Sequence, residues 1–420
     1  MGAVTNQSDY KDSLVGLIPK DWSVYTVGEA LSIQNNRRKP INRDERKLIP
    51  GPYPYYGPTK AQDFISTYEQ DGTFTLIGED GDHFLKYASM SMTQLIHGKS
   101  TVNNHAHVLS DTEICSAEWF YHYFRNRDIV NYLTRQGAGR YKLNKAALEK
   151  ISLAVPPIAE RKKITKILST VDRKLELIDQ QITTTQTLKK GLMQKLFSEG
   201  VGTQDANGQW QPHTEFKETE LGRIPVEWEV EKLSTLHHVF DSLHSTPKFS
   251  DDGYPMVRVG DIKDKHIDLN NCKTVSKDVY SVFIKKYQPK ISDVVISRVG
   301  SFGQCALVVE SQPFCLGQNT AVIATEGRGE YLYYFLTSPS CQKQIKHNIN
   351  GSSQMSLSLK DIRNLKIPVP NDLNESRKIS KILSVADMKL DQLSKRKTQT
   401  QQLKKGLMQK LLTGQIRVTV

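Results

Sequence analysis

No run of about 18 apolar residues occurs in this sequence, so no helix long enough to cross a bilayer is expected and no membrane partner is assigned. Cysteine is scarce. The five residues Cys115, Cys272, Cys305, Cys315 and Cys341 are odd in number and form no C-x-x-C pair. Neither a thiolate zinc site nor a disulfide framework is suggested by that pattern. The first 30 residues carry no basic segment followed by an apolar one, so export is not expected and a reducing cytoplasm is the expected setting. No G-x-x-x-x-G-K-S/T phosphate loop is present, so no intrinsic ATP motor is read. The N/D-P-P-Y/F tetrapeptide of a DNA amino-methyltransferase is missing too. VPPI (155–158) has the prolines without the amide or carboxylate before them or the aromatic after, and reads as a helix boundary. NNHAH (103–107) and the pair His237 and His238 read as surface or strand histidines, because no third and fourth ligand follow at a metal-site spacing. GEDGDH (78–83) reads as an acidic turn between strands rather than a cation or nuclease loop. Neither a catalytic residue nor a metal ligand is assigned.

What is present is ordinary in bulk and basic in charge. The 420 residues are 38% hydrophobic and 24% charged, enough for two or more domains with real cores, and the net charge is +12. A basic excess of that size favours a polyanionic partner without proving one.

The organising feature is a tandem repeat. LKKGLMQKL occurs at 188–196 and again at 403–411. IPKDW (18–22) echoes IPVEW (224–228), and AEWFYHYF (117–124) echoes GEYLYYFL (329–336). GAGRYKLNKAALEKISLAVPP (137–157) echoes GSSQMSLSLKDIRNLKIPVP (351–370), and ERKKITKILSTVD (160–172) echoes ESRKISKILSVAD (375–387). The landmarks keep their order, so the chain is two copies of one unit: a globular segment, a Pro-marked boundary and a long helix. The helices nearly match while the globular parts have diverged, as one frame displaying two different binding surfaces would.

The expected helices run over 160–197 and its counterpart. Ile164, Leu168, Val171, Leu175, Ile178 and Ile182 recur at spacings of 4, 3, 4, 3 and 4, and Ile379, Leu383, Ala386, Leu390 and Leu393 repeat the phase. That is a coiled-coil seam. After a polar stretch, Leu188, Leu192 and Leu196, and Leu403, Leu407 and Leu411, are read as resuming it. Neither helix is stable alone in water with an apolar stripe exposed. The expectation is that they pair antiparallel, with a pseudo-two-fold relation between the copies. The opposite faces carry Lys162, Lys163, Lys166, Lys189, Lys190 and Lys195, and Lys378, Lys381, Lys404, Lys405 and Lys410. The sequence leaves open whether these touch DNA phosphates or a protein partner.

The globular segments read as mixed strand and helix. PYYG (54–57), GTFTLIGEDG (72–81) and NNHAHVLS (103–110) are expected strands in the first, and YPMVRVGDI (254–262), DVVISRVGSFGQCALV (293–308) and NTAVIA (319–324) in the second. Tyr-rich helices are expected over 117–133 and 329–347. The fold class is therefore α+β, with domains at 1–155, 156–199 (first helix), 200–369 and 370–420 (second helix).

This order of parts, with the PP-x-x-E-R-K-K-I-x-K-I-L helix and its LKKGLMQKL ending, resembles the specificity subunit of type I restriction–modification systems over essentially the whole chain. Arg161 stands where that family often has Gln. The resemblance implies a non-catalytic DNA-recognition subunit. Each globular segment would be a target recognition domain reading one half of a bipartite, asymmetric site in double-stranded DNA, and the helices would set the spacer. Two methyltransferase subunits and two restriction/translocase subunits would assemble on it. No cofactor would be bound by this chain, while AdoMet, ATP and Mg2+ would serve the partners, with adenine N6 as the methylated atom. A single-chain methylase or nuclease, and a protein-only coiled-coil adaptor, are the alternative readings.

Expected DNA contacts lie on turns. RVGSFGQ (298–304) offers Arg298, Ser301 and Gln304, and Arg and Gln match guanine and adenine edges bidentately. Arg258 and Gln354 are further candidates in the second half, and Lys60, His83, Lys86, Arg140 and Lys142 in the first. For each alone, a solvated charge or a phosphate contact is the plainer role.

Overall fold

The computed structural model describes residues 9–136, 140–263, 265–350 and 356–418. Two compact units emerge: one built from residues up to Asp179 together with Arg396 onward, the other from Gln180–Lys395. This division differs from the tandem boundaries. Each unit contains a globular segment, the first half of the long helix that follows it, and the last half of the other long helix.

In the first unit a four-stranded antiparallel sheet has the order Ser32–Ile33, Ala106–Ser110, Thr73–Gly78, Thr93–His97. The strand TFTLIG sorts its side chains by alternation. Phe74 and Leu76 join Ile96, Val102 and Val108 in one core, while Ile77 joins Leu109 and the aromatics Trp119, Phe120 and Phe124 of the helix Ala117–Phe124 in another. A second sheet orders Ala61–Ile65, Pro50–Tyr56 and Thr101–Val102, the last pair parallel. The strand Ser23–Thr26 pairs with Ser152–Val155 just before the long helix.

The second unit repeats this topology. Its four-stranded sheet has the order His238–Asp241, Thr320–Ala324, Val294–Ser297, Cys305–Leu307, and its three-stranded sheet the order Lys273–Val275, Tyr254–Val257, Cys315–Leu316 with the last pair again parallel. Val295 and Val322 face one core, and Ile296 and Ile323 the other, with the helix Gly329–Leu336. Glu229–Lys232 pairs with Lys366–Val369. The Tyr-rich helices are shorter than the sequence suggested. The first ends at Phe124, where Asn126 turns its amide to the Tyr87 carbonyl (2.7 Å). The second stops at Leu336, and Pro339 starts a separate helix, Pro339–Asn350.

The long helices run over Ile158–Glu199 and Leu373–Leu411. Their first turns anchor on a buried tryptophan. Trp22 Nε1 donates to Glu160 Oε2 (3.0 Å), and Trp228 Nε1 to Glu375 Oε2 (2.8 Å). Both indoles are fully buried. At about 200 Å² each, that burial contributes roughly 5 kcal/mol before ordering entropy is set against it. The remaining capacity of each glutamate is filled from beyond the end of the other long helix. Glu375 accepts from the Val201 and Gly202 amides and His213 Nε2 (2.9, 3.0 and 2.9 Å), and Glu160 accepts from Arg417 (2.8 and 2.9 Å). Gly200 and Gly414 end the helices in the left-handed region (φ 69° and 72°). A Cβ on Gly414 would lie 2.3 Å from Pro19 Cγ, and one on Gly200 2.3 Å from Glu375 Oε1.

Within each unit the half-helices share a core. Ile164 and Leu168 cluster with Leu407, Met408, Leu411 and Leu412 in the first, and Ile379 and Leu383 with Leu192, Met193, Leu196 and Phe197 in the second. Ile178, Ala386 and Leu393 are buried, and Val171, Leu175, Ile182 and Leu390 half-buried. The seam does not resume on Leu188 and Leu403, which are 58% and 53% exposed. It passes instead through Lys189 and Lys404, which the sequence had placed on the polar face. Lys404 is buried against Asp172, and Lys189 lies against Asp387. Asp172 also accepts from Arg125 (2.9 Å), and Asp387 from the Tyr334 hydroxyl (2.8 Å), which in turn accepts from Lys265 (2.8 Å). Burial, and then the nearby Arg125, push the Lys404 ammonium down to about 8 against the opposing pull of Asp172.

Candidate nucleic-acid interface

In the first unit the loop after Thr73–Gly78, the turn at 103–105 and the hairpin Thr134–Gln136/Arg140–Lys142 meet. The Leu143 amide donates to the Glu79 carbonyl (2.7 Å), the Glu79 amide to the His105 carbonyl (2.8 Å), and the Gly81 amide to the Tyr141 carbonyl (3.1 Å). The second unit repeats these contacts. The Leu357 amide donates to the Arg298 carbonyl (2.8 Å), and the Arg298 amide to the Asn319 carbonyl (2.9 Å). Glu79 and Arg298 therefore hold the same place with opposite charge, and each is neutralised from within. Glu79 pairs with Arg38 (2.6 Å) and Lys142 (3.5 Å), and Arg298 with Asp241 (2.6 Å).

This geometry sorts the sequence candidates. Arg298 also donates through Nε to the Leu357 carbonyl (3.1 Å) and is largely buried, so its donors hold the loop rather than face a base. Arg258 spends its fork on Asp261 (3.0 and 3.1 Å), and Gln304 its amide on the Lys263 carbonyl (2.7 Å). Lys142 is half-buried beside Glu79. His83 is buried, with its ring 4.1 Å from that of Phe84, and packs so closely on Gly78 that a Cβ there would lie 2.5 Å from Nε2. Burial lowers its pKa despite Asp80 and Asp82 nearby, so it is a neutral packing group rather than a cationic contact. Lys60, Lys86, Arg140 and Ser301 are exposed on the turns or hairpin that carry them. Gln354 lies outside the described residues.

Sequence reasoning overlooked the turn that enters the strands Ala106–Ser110 and Thr320–Ala324. In the first unit it carries His105, whose Nδ1 lies 2.8 Å from Asp80. In the second it carries the exposed Gln318, which accepts from Thr246 (3.2 Å), next to Asn319 at φ 66°. The sequence signal was the polar doublet before each strand, NN in NNHAH and QN in GQNTAV. Of the flagged histidines, His107 is buried and bonded to the Leu143 carbonyl (2.7 Å), His237 is half-buried with its pKa lowered by burial, and His238 is exposed.

The family model of the type I restriction modification DNA specificity domain matches this chain twice, over residues 19–185 and 225–404. The chain belongs to the type I DNA specificity family. The MjaVIII specificity subunit of Methanocaldococcus jannaschii is 25% identical over 416 residues, covering 96% of this chain and 94% of the relative. A putative type I specificity subunit of Haemophilus influenzae is 37% identical over 142 residues, 34% of this chain and 35% of the relative. The crystal structure of the S subunit from M. genitalium shares the fold, with a TM-score of 0.62 at 15% identity over 93% of this chain and 96% of that one. As a type I specificity subunit the chain is the DNA-recognition component of a restriction–modification system, not its catalytic one. The two matched segments each take in one globular part and most of one long helix, so the family's unit is the repeat read from the sequence.

Proposed function

We propose that the two units of this specificity subunit each read one half of a bipartite, asymmetric DNA site. In this reading the long helices pair antiparallel as a coiled coil with a pseudo-two-fold relation, set the spacer between half-sites, and dock two methyltransferase subunits. Two restriction/translocase subunits complete the assembly. AdoMet, ATP and Mg2+ serve those partners, with adenine N6 as the methylated atom. The observation that carries the helix pairing is its reciprocity: Asp172 meets Lys404 and Asp387 meets Lys189, the same two repeat positions with the helices exchanged. That exchange is what an antiparallel pair of equivalent helices would produce. The divergence of the loop residues, with Glu79 at the place of Arg298, supports two different half-sites. The test replaces residues 1–155 with the corresponding segment of another family member and maps methylation in cells that supply the partners. One half-site should change while the other half and the spacer persist; altered reading of both halves would refute the assignment.

A further inference from the structure

The first unit holds a cleft of about 940 Å³ between the 87–91 loop, the end of the helix Ala117–Phe124 and the last third of the second long helix. Arg125, Arg127, Lys404 and Lys405 line it, and no Asp or Glu is among its lining residues. Behind the wall, Asp172 is shared by Arg125 and Lys404, so one carboxylate offsets two cations there. Arg127 and Lys405 have no carboxylate within 4.0 Å among the described residues. The Arg127 guanidinium lies 3.8 Å over the Tyr123 ring, which fixes its plane and reduces the entropy lost on binding. The Tyr123 hydroxyl accepts from the Ala154 amide (3.2 Å), and the guanidinium meets this residue through the ring face. The second unit has a cleft of about 890 Å³ beside the counterpart lysine, Lys189, but Asp268, Glu310, Asp387 and Asp391 line it together with Lys263 and Lys265. One cleft is cationic and its counterpart is balanced.

We propose that the cleft of the first unit binds backbone phosphates of duplex DNA, outside the bases that are read, and that the second unit has no equivalent clamp. This rests on the DNA-recognition role of the chain and adds to it a sequence-independent anchor on one side only. Such an anchor adds affinity and salt dependence and leaves base discrimination unchanged.

The experiment measures affinity of the full chain for duplex DNA across a salt series. Each phosphate contact contributes about 0.9 to the slope of log affinity against log salt. Lys405→Gln, an exposed change that spares the fold, should lower the slope by about 0.9, and Arg127→Gln with Lys405→Gln by about 1.8. The ratio of specific to non-specific affinity should stay the same. Lys20→Gln with Lys150→Gln, which removes two exposed charges outside the cleft, should leave the slope unchanged. Retained DNA binding with an unchanged slope in the cleft variant, or an equal loss in the control, would overturn the clamp alone. Failure of the unaltered chain to bind DNA at any salt would overturn the recognition role as well. Tripolyphosphate titrated without DNA separates the sources: binding lost in the cleft variant while the DNA slope persists would make this a site for free polyphosphate and sink the DNA assignment.

Discussion

Asp172 is the most exacting point at which to perturb the helix pair. Its carboxylate takes both Lys404 and Arg125, and the Lys404 side chain is only 8% exposed. Asp172→Asn leaves two cations facing each other in a partly dry site. Breaking a buried pair costs about 3–5 kcal/mol, and because Asp172 is itself 23% exposed the lower end, about 3 kcal/mol, is expected. Lys404→Met is milder, because Asp172 keeps Arg125 at 2.9 Å and the methionine fills the seam; about 1–2 kcal/mol is expected. Lys404 and Asp172 are in contact, so the double variant should cost less than the sum of the singles by about 1 kcal/mol or more. Urea unfolding at neutral pH, followed by tryptophan fluorescence, measures all three. Equal costs for the two single variants, or strictly additive ones, would refute the view that one carboxylate holds two cations across this seam.

Arg298→Ala should lower stability by about 2 kcal/mol, because it leaves Asp241 with only the exposed His244 (3.0 Å) and frees the Leu357 carbonyl, whereas Lys60→Ala and Arg140→Ala should leave the melting temperature unchanged and weaken DNA binding; thermal melts paired with binding titrations decide, and an unaltered melt for Arg298→Ala would return that residue to the reading surface. Inserting seven residues after Thr184 and seven after Gln399 preserves the 4–3 phase and adds about 10.5 Å, or about three base pairs at ~3.4 Å each. Methylation mapping should show the longer spacer with both half-sites intact, and an unchanged spacer would remove the ruler role. His122 is held neutral by burial, which lowers its pKa from 6.5 to about 3 against the pull of Asp172. The unfolded chain takes up that proton near 6.5 and the folded chain only near 3, so the contribution to stability is complete above 6.5 and is lost as pH falls toward 3. His122→Gln should flatten the pH dependence of unfolding in that window by up to about 1.4 kcal/mol per pH unit, and an identical slope would count against the burial argument.

The frame was legible because it is written in periodicity, and the parts that were missed follow from reading hydrophobicity before phase. Extending the 4–3 spacing past Leu393 leads through Lys397, Thr400, Lys404, Leu407 and Leu411, and Thr400 and Lys404 are both buried. The phase was continuous; only the assumption that a lysine cannot sit on a seam hid it. The duplicated Asp172 and Asp387 were the available signal, since a buried ammonium needs a carboxylate. The loops were harder. Arg298 looked like a base reader because Arg suits guanine, yet its partner Asp241 lies 57 positions away in sequence and only the sheet brings them together. His83 looked exposed because it follows GEDGD, but the glycines Gly78 and Gly81 make room for the ring to turn inward. Pairing across a sheet and inward rotation of a loop side chain are decided by tertiary packing, which local residue types do not report.

Internal packing accounts for only part of the duplicated nonapeptide. Its inward positions are constrained, because Lys189, Met193 and Leu196 fit against Asp387, Ile379 and Leu383, and Lys404, Met408 and Leu411 against Asp172, Ile164 and Leu168. Its outward positions are under no such demand. Leu188 and Leu403 are each more than half exposed, and Gln194 and Lys195, with Gln409 and Lys410, are exposed as well, yet they are identical in the two copies. Over the same chain the loops have diverged until Glu79 stands in one unit at the place Arg298 holds in the other. An exposed leucine with the same exposed lysine two turns further on, occurring twice, suits a surface met twice by one kind of partner. The two methyltransferase copies proposed above would supply that demand, and a DNA backbone would not, because phosphates select for charge and have no use for the two leucines. Leu188→Ser with Leu403→Ser should therefore leave DNA affinity intact and lower the number of partner subunits retained on the purified complex, and weakened DNA binding with full partner occupancy would reverse the assignment.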